Sequence, residues 1–159
     1  MSELPCVLGS WEYFWIHCDA VALVTASSDK ELIRAYCCSA AFHTSFLPPE
    51  GDETGIHGPF RADQISHLDF VPLKPTELKG YLNSLEVAGI PEEDEAARAT
   101  ILTHLLDAFR KDRSCYVLKA DERNAQLFHE WGFVLTVFRE FLFIGPARNT
   151  LERFIVGYD

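Results

Sequence analysis

His67 and Asp69 flank Leu68 in the stretch HLDFVPL, and on an extended strand two residues so spaced point to the same face. An imidazole and a carboxylate side by side can share general-base work, taking the proton from an attacking nucleophile. They are the candidate catalytic pair. The same residues also read as a hydrogen-bonding aspartate at a strand end beside a half-exposed histidine. The six histidines include no His-x-x-x-His spacing and no Cys/His ligand pattern, so no metal is expected. Cys6, Cys18, Cys37, Cys38 and Cys115 are odd in number and lack Cys-x-x-Cys spacing, which reads as free thiols, mostly buried, in a reducing compartment.

The elements that would position such groups are read from hydrophobic period. Ile101, Leu102, Leu105, Leu106 and Phe109 recur at helical intervals with Arg98, His104, Asp107, Arg110 and Lys111 between them, which predicts an amphipathic helix near Ala96 to Lys111. Cys115 to Leu118 is a short apolar run with the length of a buried strand. Asp121 can cap a following helix whose apolar side is Ala125, Leu127, Phe128 and Trp131, with Gly132 at its end. From Phe133 the segment FVLTVFREFLFI is apolar on both faces, as a central strand should be, and LERFIVG supplies a last strand. Upstream, residues 11 to 25 and Glu31 to Phe42 read as strands, the stretch from 20 to 42 forming an antiparallel hairpin. His43 to Gln64 has the prolines, glycines and acids of a long loop. His67 to Leu73 reads as a strand, and Thr76 to Ala88 as a short helix.

The stretch ADERNAQLFHEWGF resembles the helix-and-strand signature of the GNAT-type acyl-CoA N-acyltransferases, which runs Asn, two residues, Ala, two residues, Leu-Tyr, three residues, Gly-Phe. Aligned on Gly132 and Phe133, Leu127 matches the family's Leu, while Phe128 stands for its Tyr, Asp121 for its Asn and Asn124 for its Ala. The resemblance spans about residues 67–157. It implies an α/β (α+β) fold with a mixed, mostly antiparallel sheet of six to seven strands flanked by helices, including a splayed pair. The whole chain, 1–159, would be a single domain with a long loop at 43–64. It further implies acyl-CoA (acetyl-CoA) as cofactor, held near Ala96, Ala97, Asp121, Asn124 and Phe128, and a base at Asp69 or His67 facing a cationic amine acceptor. The family's phosphate loop should fall on IPEEDEAA, residues 90–97, which has no glycine and places Glu92, Glu93, Asp94 and Glu95 where a pyrophosphate would lie. Phe128 also lacks the hydroxyl that the family uses as an acid.

Composition sets the remaining bounds. A chain of 159 residues can bury roughly two thirds of its unfolded surface in one core. Neither a signal peptide nor an apolar run of membrane-spanning length is seen, so a cytoplasmic location and no membrane partner are expected. The formal net charge of -10 repels phosphate backbones and attracts cations. Nucleic acid is thereby disfavoured, and a basic small amine, basic peptide or basic protein is favoured. With the resemblance, three readings stand: a GNAT-like N-acyltransferase with a degenerate cofactor loop, a non-catalytic GNAT-like module that inhibits a basic protein as an immunity protein or antitoxin does, or an unrelated α/β structural domain. The oligomeric state is not legible.

Overall fold

The computed structural model describes residues 6–11, 14–44, 55–77, 80, 99, 103, 106–107, 112–120, 124–129, 132 and 137–158. A six-stranded sheet dominates it. The strands are β1 (Cys6–Trp11), β2 (Phe14–Ala22), β5 (Phe70–Pro72), β6 (Ser114–Leu118), β7 (Val137–Ile144) and β8 (Thr150–Tyr158), in the order β1-β2-β8-β7-β6-β5. A separate short hairpin is made by β3 (Ile56–His57) and β4 (Phe60–Arg61). Every neighbouring pair in the sheet is antiparallel.

The register explains the core. Asp19 lies opposite Arg153, Arg153 opposite Leu142, and Glu140 opposite Ile155. Because side chains alternate, Asp19, Val21, Phe138, Glu140, Leu142, Ile144, Leu151, Arg153 and Ile155 share one face of the sheet. Ile16, Phe141, Phe154 and Val156 share the other, and all four are fully buried. Strands buried on both faces read as continuous apolar runs, which is the pattern of VFREFLFI with Arg139 and the fully buried Glu140 as its exceptions.

One helix, α1 (Asp29–Cys37), packs on the first face through Leu32, Ile33 and Tyr36. Burial of each such side chain stabilises by about 1.5–3 kcal/mol. Here the expected strand over Glu31 to Phe42 is corrected. Ser28 caps the helix, its Oγ accepting from the Glu31 backbone N–H at 3.3 Å, while the Glu31 carboxylate accepts from the Ser27 N–H at 3.0 Å. Leu32, Ile33 and Tyr36 then fall on one side of a 3.6-residue period, and no antiparallel hairpin forms between residues 20 and 42. Cys37 and Cys38 accordingly sit at a helix end rather than on a strand.

Other expectations divide. The strands at Cys115 to Leu118, in FVLTVFREFLFI and in LERFIVG are present, and Pro146 lies beyond β7. Ala99, Thr103, Leu106 and Asp107 are helical, within the amphipathic helix expected there. Pro75 to Glu77 are helical too. The strand expected from His67 starts only at Phe70, because Ser66 to Asp69 form a turn closed by the Asp69 N–H donating to the Ser66 carbonyl at 3.1 Å. Among the described residues after Asp121, a 3-10 turn at Ala125–Leu127 stands where the helix was expected, after which Phe128 leaves to form an isolated antiparallel bridge with Phe60. No helix among the described residues is long and apolar enough to cross a membrane.

Candidate functional site

The first sheet face carries charge at its centre. Arg153 on β8 donates from Nε to Asp19 Oδ1 on β2 at 2.7 Å, and its Nη2 donates to Asp19 Oδ2. This is the bidentate geometry that a planar guanidinium favours. The remaining nitrogen, Nη1, donates to the Ala41 carbonyl at 2.6 Å and lies 3.4 Å from the Tyr36 hydroxyl. Tyr36 donates in turn to Glu140 Oε1 at 2.6 Å. The other carboxylate oxygen, Glu140 Oε2, is 2.5 Å from His57 Nε2, and His57 Nδ1 is 2.7 Å from the Phe42 carbonyl.

The five side chains come from β2, α1, β3, β7 and β8, and they form one continuous chain of contacts. Tyr36, His57 and Glu140 are fully buried and Arg153 is 5% exposed. Aromatic rings enclose them. His57 stacks on Phe42 with ring centroids 3.8 Å apart, and Tyr36 meets Phe42 and Phe70 edge-on. The Arg153 guanidinium lies 5.8 Å from the Tyr36 ring centroid. At this depth a missing partner would leave a bare charge, so the groups form a mutually dependent set.

Electrostatics follow the geometry. Burial alone would raise the Asp19 carboxyl, but hydrogen bonds and charge from Arg153 and His17 outweigh it and hold Asp19 well below the usual carboxylate range. His17, two residues along β2, has Nε2 3.5 Å from Asp19 Oδ2. Burial, reinforced by the Glu140 charge, pushes the Tyr36 hydroxyl well up, so it stays a phenol and a donor. His57 faces an acceptor at each ring nitrogen. The carbonyl requires a proton on Nδ1, and a second proton must lie between Nε2 and Oε2. Counted with that proton on the ring, Asp19 and Glu140 balance Arg153 and His57, and the buried set is neutral.

A second polar constellation lies where α1 meets the sheet. Arg148 Nε donates to Asp29 Oδ1 at 2.7 Å and the Tyr116 hydroxyl donates to Asp29 Oδ2 at 3.2 Å. Near it, Arg113 pairs with Glu152 in a cavity of about 100 Å³ lined also by Phe143, Arg148 and Thr150. Small-molecule sites span roughly 300–1,000 Å³, so this hollow suits an ion pair and not a cofactor.

The residues nominated from sequence lie elsewhere. Asp69 Oδ2 accepts from the Ser66 N–H at 2.7 Å and from Ser66 Oγ at 3.0 Å, and the Asp69 carbonyl accepts from Lys119 N–H at 2.8 Å. Asp69 thus ties a turn, and His67 stands half-buried in that turn instead of sharing a strand face with it. Asn124 accepts on its side-chain oxygen from the Gln126 N–H at 3.1 Å, and Phe128 packs on Phe60 with centroids 5.3 Å apart. Ala96, Ala97 and Asp121 lie outside the described residues, as do Glu92, Glu93, Asp94 and Glu95. No group of three or more His, Cys, Asp or Glu that could hold a metal stands among the described residues. Cys115 is a buried thiol and Cys37 a half-buried one, and desolvation pushes the ionisation of each up to about 12.

Sequence reasoning passed over the buried set itself. Its one visible sign was Glu140, a lone acid inside an eight-residue strand otherwise apolar but for Arg139. A charge placed where both strand faces are buried requires partners.

No family model matches the chain, and no curated protein matches it. Two crystal forms of citrus MAF1 are similar in structure. One has 10% identity over 93% of this chain and 90% of that one, with a TM-score of 0.43. The other has 13% identity over 93% and 88%, with a TM-score of 0.42. The similar structures found are of MAF1, and no family model supports the GNAT-type resemblance. The sheet argues against it independently: among the described residues its neighbouring strands are antiparallel throughout, and the signature's helix is a 3-10 turn at its described residues. The acyl-CoA N-acyltransferase reading is therefore corrected, together with the GNAT-like scaffold invoked for a binding module.

Proposed function

We propose that this protein is an interaction module whose partner is a basic polypeptide, met through an acidic exterior. The observation that carries this reading is how its own cations are used. Arg153 is tied to Asp19, Arg148 to Asp29, Arg113 to Glu152 and Arg61 to Asp63. With 24 acids against 14 bases, at least ten carboxylates have no basic side chain to match them. Exposed Glu31, Asp63, Glu77, Asp107 and Asp112 belong to the acidic exterior, and Glu92 to Glu95 add four acids in sequence. A field of one sign steers an oppositely charged partner and speeds its encounter, with a steep loss as salt rises.

The test is the association rate of a labelled oligolysine peptide, measured by stopped flow at increasing salt beside a neutral peptide of equal length. Oligolysine should associate faster at low salt, and its rate should fall as the screening length shrinks to about 8 Å at physiological ionic strength. Neutralising Glu92, Glu93 and Asp94 to Gln, Gln and Asn should slow it. Equal rates for the two peptides, insensitive to salt, would overturn the reading.

A further inference from the structure

Strand register sets two of the five cysteines opposite each other at the edge of the sheet. β1 ends the order β1-β2-β8-β7-β6-β5, and Cys6, its first residue, is the direct partner of Cys18 on β2. The kind of pairing follows from the other side of β2. Just past that strand the Leu23 N–H donates to the Asn149 carbonyl at 2.8 Å, a pair that continues the β2–β8 register. Odd-numbered residues of β2 therefore turn their backbone groups to β8, and even-numbered ones, Cys18 among them, turn theirs to β1. Cys6 and Cys18 are thus a hydrogen-bonded pair, for which the Cα atoms stand about 5.5 Å apart. Disulfides have Cα separations of roughly 4.4–6.8 Å, most often about 5.5–6 Å.

Among the described residues no other cysteine has one opposite it. Cys37 and Cys38 are chain neighbours, with Cα atoms about 3.8 Å apart, which is short of the disulfide range. Cys115 has Phe143 opposite it on β7, and on its other side Leu73, whose N–H donates to the Cys115 carbonyl at 2.9 Å. Burial also pushes the Cys37 and Cys115 thiols up to about 12, which makes them poor nucleophiles. Cys18 is a half-buried thiol, within reach of a small reagent. The register shifts between Val7 and Gly9, so Cys6 and Val7 are paired to β2 beyond an irregularity in the ladder, at the open end of the hairpin. An edge strand opens first at such an end.

We propose that Cys6 and Cys18 are a reversible disulfide site that fastens the edge strand to the sheet, with a low-molecular-weight disulfide such as oxidised glutathione as its oxidant. One thiolate of the pair attacks a glutathione sulfur, forming a mixed disulfide and expelling one glutathione thiolate. The second attacks the protein sulfur of that intermediate, forming the Cys6–Cys18 bond and expelling the other glutathione. Two electrons pass from the protein thiols to the glutathione disulfide, and the two thiol protons end on the released glutathione. The bond sets how readily the β1 end of the sheet opens, whatever the identity of any partner.

The whole protein, equilibrated in buffers of graded oxidised-to-reduced glutathione ratio, quenched in acid and alkylated, tests this. Trypsin leaves Cys6 and Cys18 in one peptide, residues 1–30, that holds no other cysteine. The cross-link reads as a loss of two hydrogens and blocked alkylation in that peptide, and cutting after Trp11 or Phe14 with chymotrypsin then gives fragments that part only on reduction. It should form at an at least about tenfold lower ratio in the folded chain than in urea, because register holds the pair at bonding separation. By linkage the bond should slow hydrogen exchange of the Cys6 and Cys18 amides by a similar factor, with amides of β7 as the reference. Cys6→Ser should abolish the cross-link and leave glutathione on Cys18 alone, whereas Cys37→Ser with Cys38→Ser should leave it unchanged. A folded chain in which the two cysteines take up glutathione singly, bond to Cys37, Cys38 or Cys115, or cross-link no more readily than in urea would overturn the proposal.

Discussion

Arg153 makes a bidentate pair with Asp19, contacts a backbone carbonyl and lies beside the Tyr36 hydroxyl, so each of its three side-chain nitrogens is engaged. Its value lies in what its removal would strand. Asp19→Ala should destabilise the protein by about 3–5 kcal/mol, because it leaves a guanidinium 5% exposed without its counter-charge. Chemical denaturation at neutral pH checks the size. The acid dependence has a definite sign. The folded Asp19 carboxyl is held below its ordinary value of 3.8, so its contribution is complete above that value and is lost as pH falls through the folded one. Native protein should therefore lose stability at the acid end more steeply than Asp19→Ala does. Parallel acid titrations of the two would show that the pair is not the cause. Neither partner announced itself in the sequence. Asp19 and Arg153 are 134 residues apart and meet through strand register, whereas His57 and Glu140, 83 apart, meet because the separate β3–β4 hairpin packs on the sheet.

Elements were legible where pattern and packing agree. In β7 and β8 the apolar residues fill both sheet faces, and their strand character was plain. α1 was not, because the apolar residues Leu32, Ile33, Tyr36, Cys37 and Cys38 give ELIRAYCC a short run that suits a strand as well as a helix. The overlooked signal is local: Ser28 and Glu31 stand three apart, the spacing of a capping box, and the Ser28 half of that box forms. Ser28→Ala should then cost about 0.5–2 kcal/mol, and it should do so through α1. Thermal melts measure the cost, and hydrogen exchange at the Leu32 amide, which donates to the Ser28 carbonyl at 3.1 Å, locates it. A loss of protection spread evenly over β7 and β8 would argue that the serine acts elsewhere. The opposite error arose at Ala125 to Trp131. Four apolar residues at helical spacing suggested a helix, yet Phe128 is drawn out to bridge Phe60, and Gly132 lies so near the Pro59 carbonyl that an added Cβ would be 2.0 Å from it. Tertiary contact overrode a local period.

At the scale of the whole molecule, two electrostatic regimes coexist in one chain. Inside, the described charges are matched so closely that the central set sums to zero with one shared proton. Outside, the net charge of -10 is a uniform repulsion that opposes the compact state. Salt acts on these unequally, since buried pairs are screened far less than exposed charges. Adding sodium chloride up to about 0.5 M, where the screening length is only a few ångströms, should therefore raise the melting temperature. If about 1 kcal/mol of repulsion is relieved, the rise in a chain of this size is about 2–4 °C. The same salt should weaken capture of a basic polypeptide, so stability and association move in opposite directions with ionic strength. Substituting Glu92, Glu93 and Asp94 by their amides should reduce both responses together, because each draws on the same surplus of carboxylates. Calorimetry and binding kinetics on one salt series check the pairing. A melting temperature that falls with salt would mean that exposed attractive pairs such as Arg61 with Asp63, at 3.3 Å, outweigh the general repulsion. An acidic exterior would then be too weak a source of long-range steering.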